Sequence, residues 1–119
     1  MKILYIDATV RGNSRTAILA KHLLEHMSGD ILGVKLCEMS FPVADEAFLS
    51  MRDNACAARD FSDDALALAK QFAAADVIVI AAPFWDLSFP SALKQYFEQI
   101  NVVGLTFAYS EDGRPIGLC

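Results

Sequence analysis

Residues Thr9 to Thr16, TVRGNSRT, gather hydroxyls at Thr9, Ser14 and Thr16 and guanidinium groups at Arg11 and Arg15. They follow a strand-like KILYIDA, Lys2 to Ala8, and precede a run with helical periodicity. Gly12 and Asn13 permit positive φ in the turn between. The first amides of a helix lack partners, and the helix dipole favours negative charge there. The chemistry expected is anion binding. Ser14 could serve only as a helix cap, but two arginines, whose planar donors match phosphate, exceed what a cap needs. Neither GxGxxG nor GK[ST] is present, so the anion expected is a terminal monophosphate held by hydroxyls and amides.

A second stretch, Val77 to Gln99, reads VIVIAAPFWDLSFPSALKQYFEQ. Val77 to Ile80 are β-branched without alternation, as in a parallel strand covered on both faces. Pro83 ends the ladder, having no amide hydrogen. Phe84, Trp85, Leu87 and Phe89 then fall where the chain leaves the sheet. Ligands of open α/β sheets bind outside the carboxyl ends of the strands. This loop is therefore either a wall for a flat ligand or a cap on the core, and on its own it does not distinguish the two.

Other chemistries find less support. No Ser-His-Asp or Cys-His set is apparent. His22 and His26 are four apart on the first helix, but no carboxylate or cysteine completes a familiar metal motif, and they read as solvent-facing. Cys37, Cys56 and Cys119 are odd in number, widely spaced and without a CxxC pair, which suits a reducing cytoplasm. Net charge is −5 with no basic stripe, against nucleic-acid binding. No apolar run reaches the ~20 residues of a membrane span, and the N-terminus lacks a signal-peptide layout.

The elements that must position these loops follow in order. After the first strand and loop, Ile18, Leu19, Leu23, Leu24 and Met27 recur on one helix face. Ile31 to Met39 reads as a second strand nearer the sheet edge. From Ser40 to Asp60 the pattern dissolves: Asp45 to Met51 suggests one or two helical turns, and Arg52-Asp53-Asn54 a turn. Ser62 is expected to cap a helix burying Ala65, Leu68, Ala69 and Phe72, with Asp63 and Asp64 in its first turn. Pro90 opens a helix with Leu93, Tyr96, Phe97 and Ile100 inward, ended by Gly104. Leu105 to Tyr109 reads as a strand, followed by a turn and an apolar Pro115 to Cys119. The order β-α-β-loop-α-β-α implies a doubly wound parallel sheet. In the order 2-1-3-4-5 the first and third strands are neighbours, so both loops face one crevice.

A phosphate grip beside an apolar slot for a ring fits flavin mononucleotide, and here the chain resembles a known family. APFWDLSFPSALKQYFEQI and GLTFAYSEDGRPIGL, between Ala82 and Leu118, are similar to the flavodoxin-like NAD(P)H:quinone oxidoreductases and, within them, the FMN-dependent NADH azoreductases. Asn13-Ser14-Arg15-Thr16 matches their phosphate loop. The resemblance implies a single flavodoxin-like FMN-binding domain over residues 1–119. It implies the N-terminal portion of the sheet, order 2-1-3, with later strands missing, because the family's chains are longer. Thr9, Arg11, Ser14, Arg15 and Thr16 would hold the FMN phosphate. Pro83, Phe84, Trp85, Asp86 and Leu87 would line the ribityl chain and ring. Position 86 is often Asn in that family, and an ionised Asp cannot donate, so backbone N–H groups would make any ring contact there. No side chain is expected to be catalytic, the cofactor carrying the chemistry. The implied activity is ping-pong hydride transfer from NAD(P)H to quinone, azo or nitro acceptors, in a cytoplasmic homodimer without metal, nucleic-acid or membrane partners. The alternatives are a flavodoxin-type electron carrier or an inactive flavodoxin-like fragment.

Overall fold

A computed structural model describes residues 1–119, which fall into two compact units, Met1–Ser40 with Ala75–Tyr96, and Phe41–Ala74 with Phe97–Cys119. The first holds strand β1 (Lys2–Asp7), helix α1 (Arg15–Glu25), strand β2 (Asp30–Lys35), a 3-10 turn (Leu36–Glu38) and strand β3 (Val77–Ala81). Most of helix α4 (Ser91–Ile100) also belongs to it. The strands form one parallel sheet in the order β2-β1-β3, as expected, with Ile3 opposite both Ile31 and Val77. β1 is the spine: Ile3, Leu4, Ile6 and Ala8 are all buried. Its start is latched on both sides. Asp30 N donates to Met1 O, Asp76 N donates to Lys2 O, and Lys2 N donates to the Asp76 carboxylate at 2.7 Å.

Two expectations for this unit are corrected. Val77 to Ile80 is not fully covered, with Ile80 41% exposed and the other three half-buried, whereas the single paired edge of β3 is the one that the order 2-1-3 implies. On α1 the buried residues are Ala20 and Leu24, whereas Ile18, Leu19 and Leu23 face solvent. Apolar periodicity identified the helix but not its inward side, which is marked by Ala20 and Leu24. β2 is also shorter than the run Ile31 to Met39, giving way at Leu36 to the 3-10 turn.

The second unit comprises helix α2 (Glu46–Ala58), a 3-10 turn (Asp64–Leu66), helix α3 (Ala67–Ala73), the end of α4, and strands β4 (Phe107–Tyr109) and β5 (Pro115–Gly117). Its core is Leu66, Ala69 and Val102, with Met51, Ala55, Phe61 and Leu105 packed around it. The expected irregular segment is instead a full helix. α2 runs through Arg52-Asp53-Asn54, started by Asp45, whose side chain accepts from Phe48 N, and stopped by Arg59 in the left-handed region. Asp63, not Ser62, caps the following turn; Ser62 donates instead to Asp60, whose carboxyl is thereby lowered. α4 ends at Ile100, before Gly104, and Thr106 fastens the turn beyond it. Its hydroxyl donates to Ile100 O at 2.6 Å and accepts from Val102 N at 3.1 Å. The strand expected from Leu105 starts at Phe107, and it pairs antiparallel with β5.

Candidate functional site

The loop from β1 to α1 is built by its own side chains. Asp7, last residue of β1, accepts from Thr9 N at 2.9 Å and from the Thr9 hydroxyl at 2.6 Å. An aspartate bonding two residues on mimics a backbone turn, which turns the chain out of the sheet. Thr9 is buried, 4% exposed, so its donors point inward to Asp7. Ser14 is the N-cap: its oxygen accepts from Ala17 N at 3.2 Å, leaving its own hydroxyl hydrogen to donate. The amides of Arg15 and Thr16 have no partner within the chain. Arg11 and Arg15 are exposed and make no ion pair. The donors available to an anion are therefore two amides, the Ser14 and Thr16 hydroxyls and two guanidiniums. Such a set suits phosphate.

The loop after β3 is a tight hairpin. Trp85 N donates to Ser88 O and Ser88 N to Trp85 O, both at 2.7 Å, around Asp86 and Leu87. Both central residues have positive φ, 48° and 64°, the hand of a type I′ turn. The turn carries Leu87 outward, 88% exposed, and Phe84 stands out at 76%. Pro83 and Trp85 are half-buried. Phe84 and Leu87 are thus exposed on the surface of this unit and do not cap its core.

The two loops meet in the first unit. Val10 joins Trp85, Asp86, Ser88, Phe89 and Pro90 around a concavity of about 370 Å³. Of the residues singled out from the sequence, Trp85 and Asp86 line it. Arg11, Ser14, Arg15 and Thr16 belong to the loop that continues from Val10, and Phe84 and Leu87 stand exposed on the other loop. Val10 and Asp7 were not identified from the sequence as site residues. Asp7 could have been, because Asp-Ala-Thr is the spacing of an aspartate turn. Tyr5, on the same face of β1, has its phenol pushed up by burial and, to a lesser degree, by the Asp7 carboxylate. His22 and His26 stack at 4.7 Å on the exposed side of α1, and His26 Nδ1 donates to His22 O.

A family model described as a flavodoxin-like fold matches residues 1–119. An "FMN-dependent NADH:quinone oxidoreductase" of Coprothermobacter proteolyticus is 36% identical over 98% of this chain and 61% of its own length. An "FMN-dependent NADH:quinone oxidoreductase 2" of Clostridium acetobutylicum is 59% identical over 45% of this chain and 26% of its own length. The crystal structure of an "FMN-dependent NADH-azoreductase" from Bacillus anthracis, in complex with FMN, superposes with a TM-score of 0.73 at 27% identity. The match covers 98% of this chain and 62% of that one. The chain spans about three-fifths of the length of the relatives that it matches from end to end.

Proposed function

The chain belongs to the flavodoxin-like family, and we propose that it is the FMN-holding part of an NADH:quinone oxidoreductase of the azoreductase kind. The observation that carries this reading is the concavity of Val10 with Trp85, Asp86 and Ser88, beside a loop whose free donors suit one phosphate. A solved relative is described as binding FMN, and curated relatives are named for FMN, NADH and quinone. In this reading residues 1–119 act as one FMN-binding domain. The Arg15 and Thr16 amides, the Ser14 and Thr16 hydroxyls and the Arg11 and Arg15 guanidiniums grip the phosphate. Trp85 and the backbone of Asp86 and Leu87 flank the ring, with Pro83 and Phe84 at its margin.

When bound, FMN supplies two-electron hydride chemistry between a nicotinamide donor and an acceptor such as a quinone. The chain's own residues bind and orient. The apolar wall excludes water, and fixed backbone donors stabilise charge without reorganising. No side chain is asked to act as nucleophile. Donor and acceptor, among them azo and nitro compounds, use the same slot in turn, the ping-pong order. The working state is a cytoplasmic homodimer. The test is titration of the protein with FMN, following flavin fluorescence, then NADH consumption with menadione. Saturable quenching with quinone-dependent NADH loss is expected; FMN binding without NADH turnover favours an electron carrier, and no FMN binding refutes the reading.

A further inference from the structure

We propose that Asp7 sets how strongly the β1–α1 loop distinguishes a phosphorylated flavin from an unphosphorylated one. The proposal rests on the reading of this loop as the FMN-phosphate site. Asp7 acts in two ways. It takes both donors of Thr9, the amide at 2.9 Å and the hydroxyl at 2.6 Å, so neither is offered to a ligand. Thr9 is then a strut of the loop rather than a phosphate donor, contrary to the role expected from its sequence position. The same carboxylate also places a negative charge at the carboxyl end of β1, where the ligand's phosphate would arrive.

Asp7 makes no ion pair; the one cation beside it in the sheet, Lys35, is drawn towards Glu38. Its register partners are Lys35 on β2 and Ala81 on β3. The Lys35 ammonium lies 3.7 Å from the Glu38 carboxylate, and alanine offers no charge. The nearest titratable side chain on β1 is Tyr5, whose phenol carries no charge to offset it. Arg11 and Arg15 make no ion pair and remain for the ligand. Phosphate therefore enters a loop with two cations in favour and one built-in anion against. Asp7 is a positioning residue: it holds Thr9 and tunes the charge.

The test compares FMN with riboflavin, which lacks the phosphate, on the 119-residue chain. Asp7→Asn keeps an oxygen to accept from Thr9 and removes the charge. It is expected to tighten FMN by roughly five- to tenfold while leaving riboflavin within about twofold, the gain shrinking as salt rises. Equal shifts for both ligands, or no FMN gain, overturn the proposal. Thr9→Val, which conserves shape, is expected to leave the ratio of FMN to riboflavin affinity within about twofold, because its hydroxyl is already spent. A loss of about tenfold confined to FMN would place that hydroxyl on the phosphate and overturn the proposal independently. The native chain separates the two levels: no preference for FMN over riboflavin refutes the phosphate-loop reading, whereas a native preference unchanged in Asp7→Asn refutes only the role of Asp7.

Discussion

Trp85 and Ser88 exchange two backbone hydrogen bonds of 2.7 Å around a turn whose central residues, Asp86 and Leu87, both have positive φ. Leu pays for that conformation, about 1–2 kcal/mol relative to the right-handed region, with 88% of its side chain in water. The strain lies in the wall of the proposed ring site, where strained backbone tends to collect. Leu87→Gly should raise stability by up to about 1 kcal/mol, the glycine's own entropy offsetting part of the relief. Leu87→Val, β-branched, should lower it by about 1 kcal/mol. Urea unfolding midpoints of the three proteins check both signs.

Arg11 and Arg15 lie free beside the α1 N-terminus. Arg11→Gln and Arg15→Gln should each weaken FMN roughly three- to tenfold at low ionic strength, and less in 0.5 M salt. Riboflavin affinity should not move. Fluorescence titrations with both ligands, at two salt concentrations, measure this.

Gly29 has φ +150°, and a Cβ built there would collide with Met1 O. That carbonyl is held by Asp30 N, so it cannot yield without releasing the start of β2. Gly29→Ala should cost about 3 kcal/mol or more. Gly12, with nothing within 4 Å of its Cβ position, is the control: Gly12→Ala should change the midpoint little.

Thr106→Val should destabilise by about 1 kcal/mol, because the hydroxyl's bonds to Ile100 O and from Val102 N are lost in a buried turn while the direct Val102 N to Ile100 O bond remains. Thr106→Ser, which keeps the hydroxyl, should recover most of the loss. Thermal melts of the two variants test the pair.

Burial raises the phenol pKa of Tyr5, with the Asp7 charge adding to it, and burial raises that of Tyr96 strongly. Each folded-state pKa lies above the unfolded one, so the folded chain holds protons that the unfolded chain releases. That contribution to stability is complete below about pH 10 and is lost as pH rises beyond it. Urea midpoints should therefore fall between pH 9 and pH 11. Tyr96→Phe, with no phenol to ionise, should flatten the fall.

What the sequence made legible was whatever its chemistry expresses locally. β1 and the unbroken Val77–Ala81 run announce parallel strands, and Pro90 announces the start of α4; Gly12-Asn13 announces the turn before α1, although neither residue takes the positive φ it permits. α2 was missed because it buries little: Phe48 is its only buried residue, and its helix is set by the Asp45 cap and by alanines rather than by an apolar stripe. The inward face of α1 was only partly read, because its apolar residues run round more than one side: Leu24 is buried with Ala20, while Ile18 and Leu19 are 65% and 70% exposed. At the site, residue types identified the two loops. Whether Thr9 faced a ligand or Asp7 depended on a turn two residues long, and Trp85 with Asp86 meets Val10 only once β1 and β3 are paired.

The latch at the start of β1 bears on how the chain assembles as it is synthesised. The partners of Met1 and Lys2, Asp30 and Asp76, lie further along the chain in that order. The nascent chain can close the smaller ring, β1 on β2, while the rest is still being made. The later closure to β3 spans a longer segment but costs only about 1 kcal/mol more in chain entropy, and it docks on a strand already fixed in register. The aromatic wall follows β3 directly, so it comes to Val10 only with this second closure. The concavity of Val10 with Trp85 is therefore among the last features of its unit to form, and the β1–α1 loop among the first.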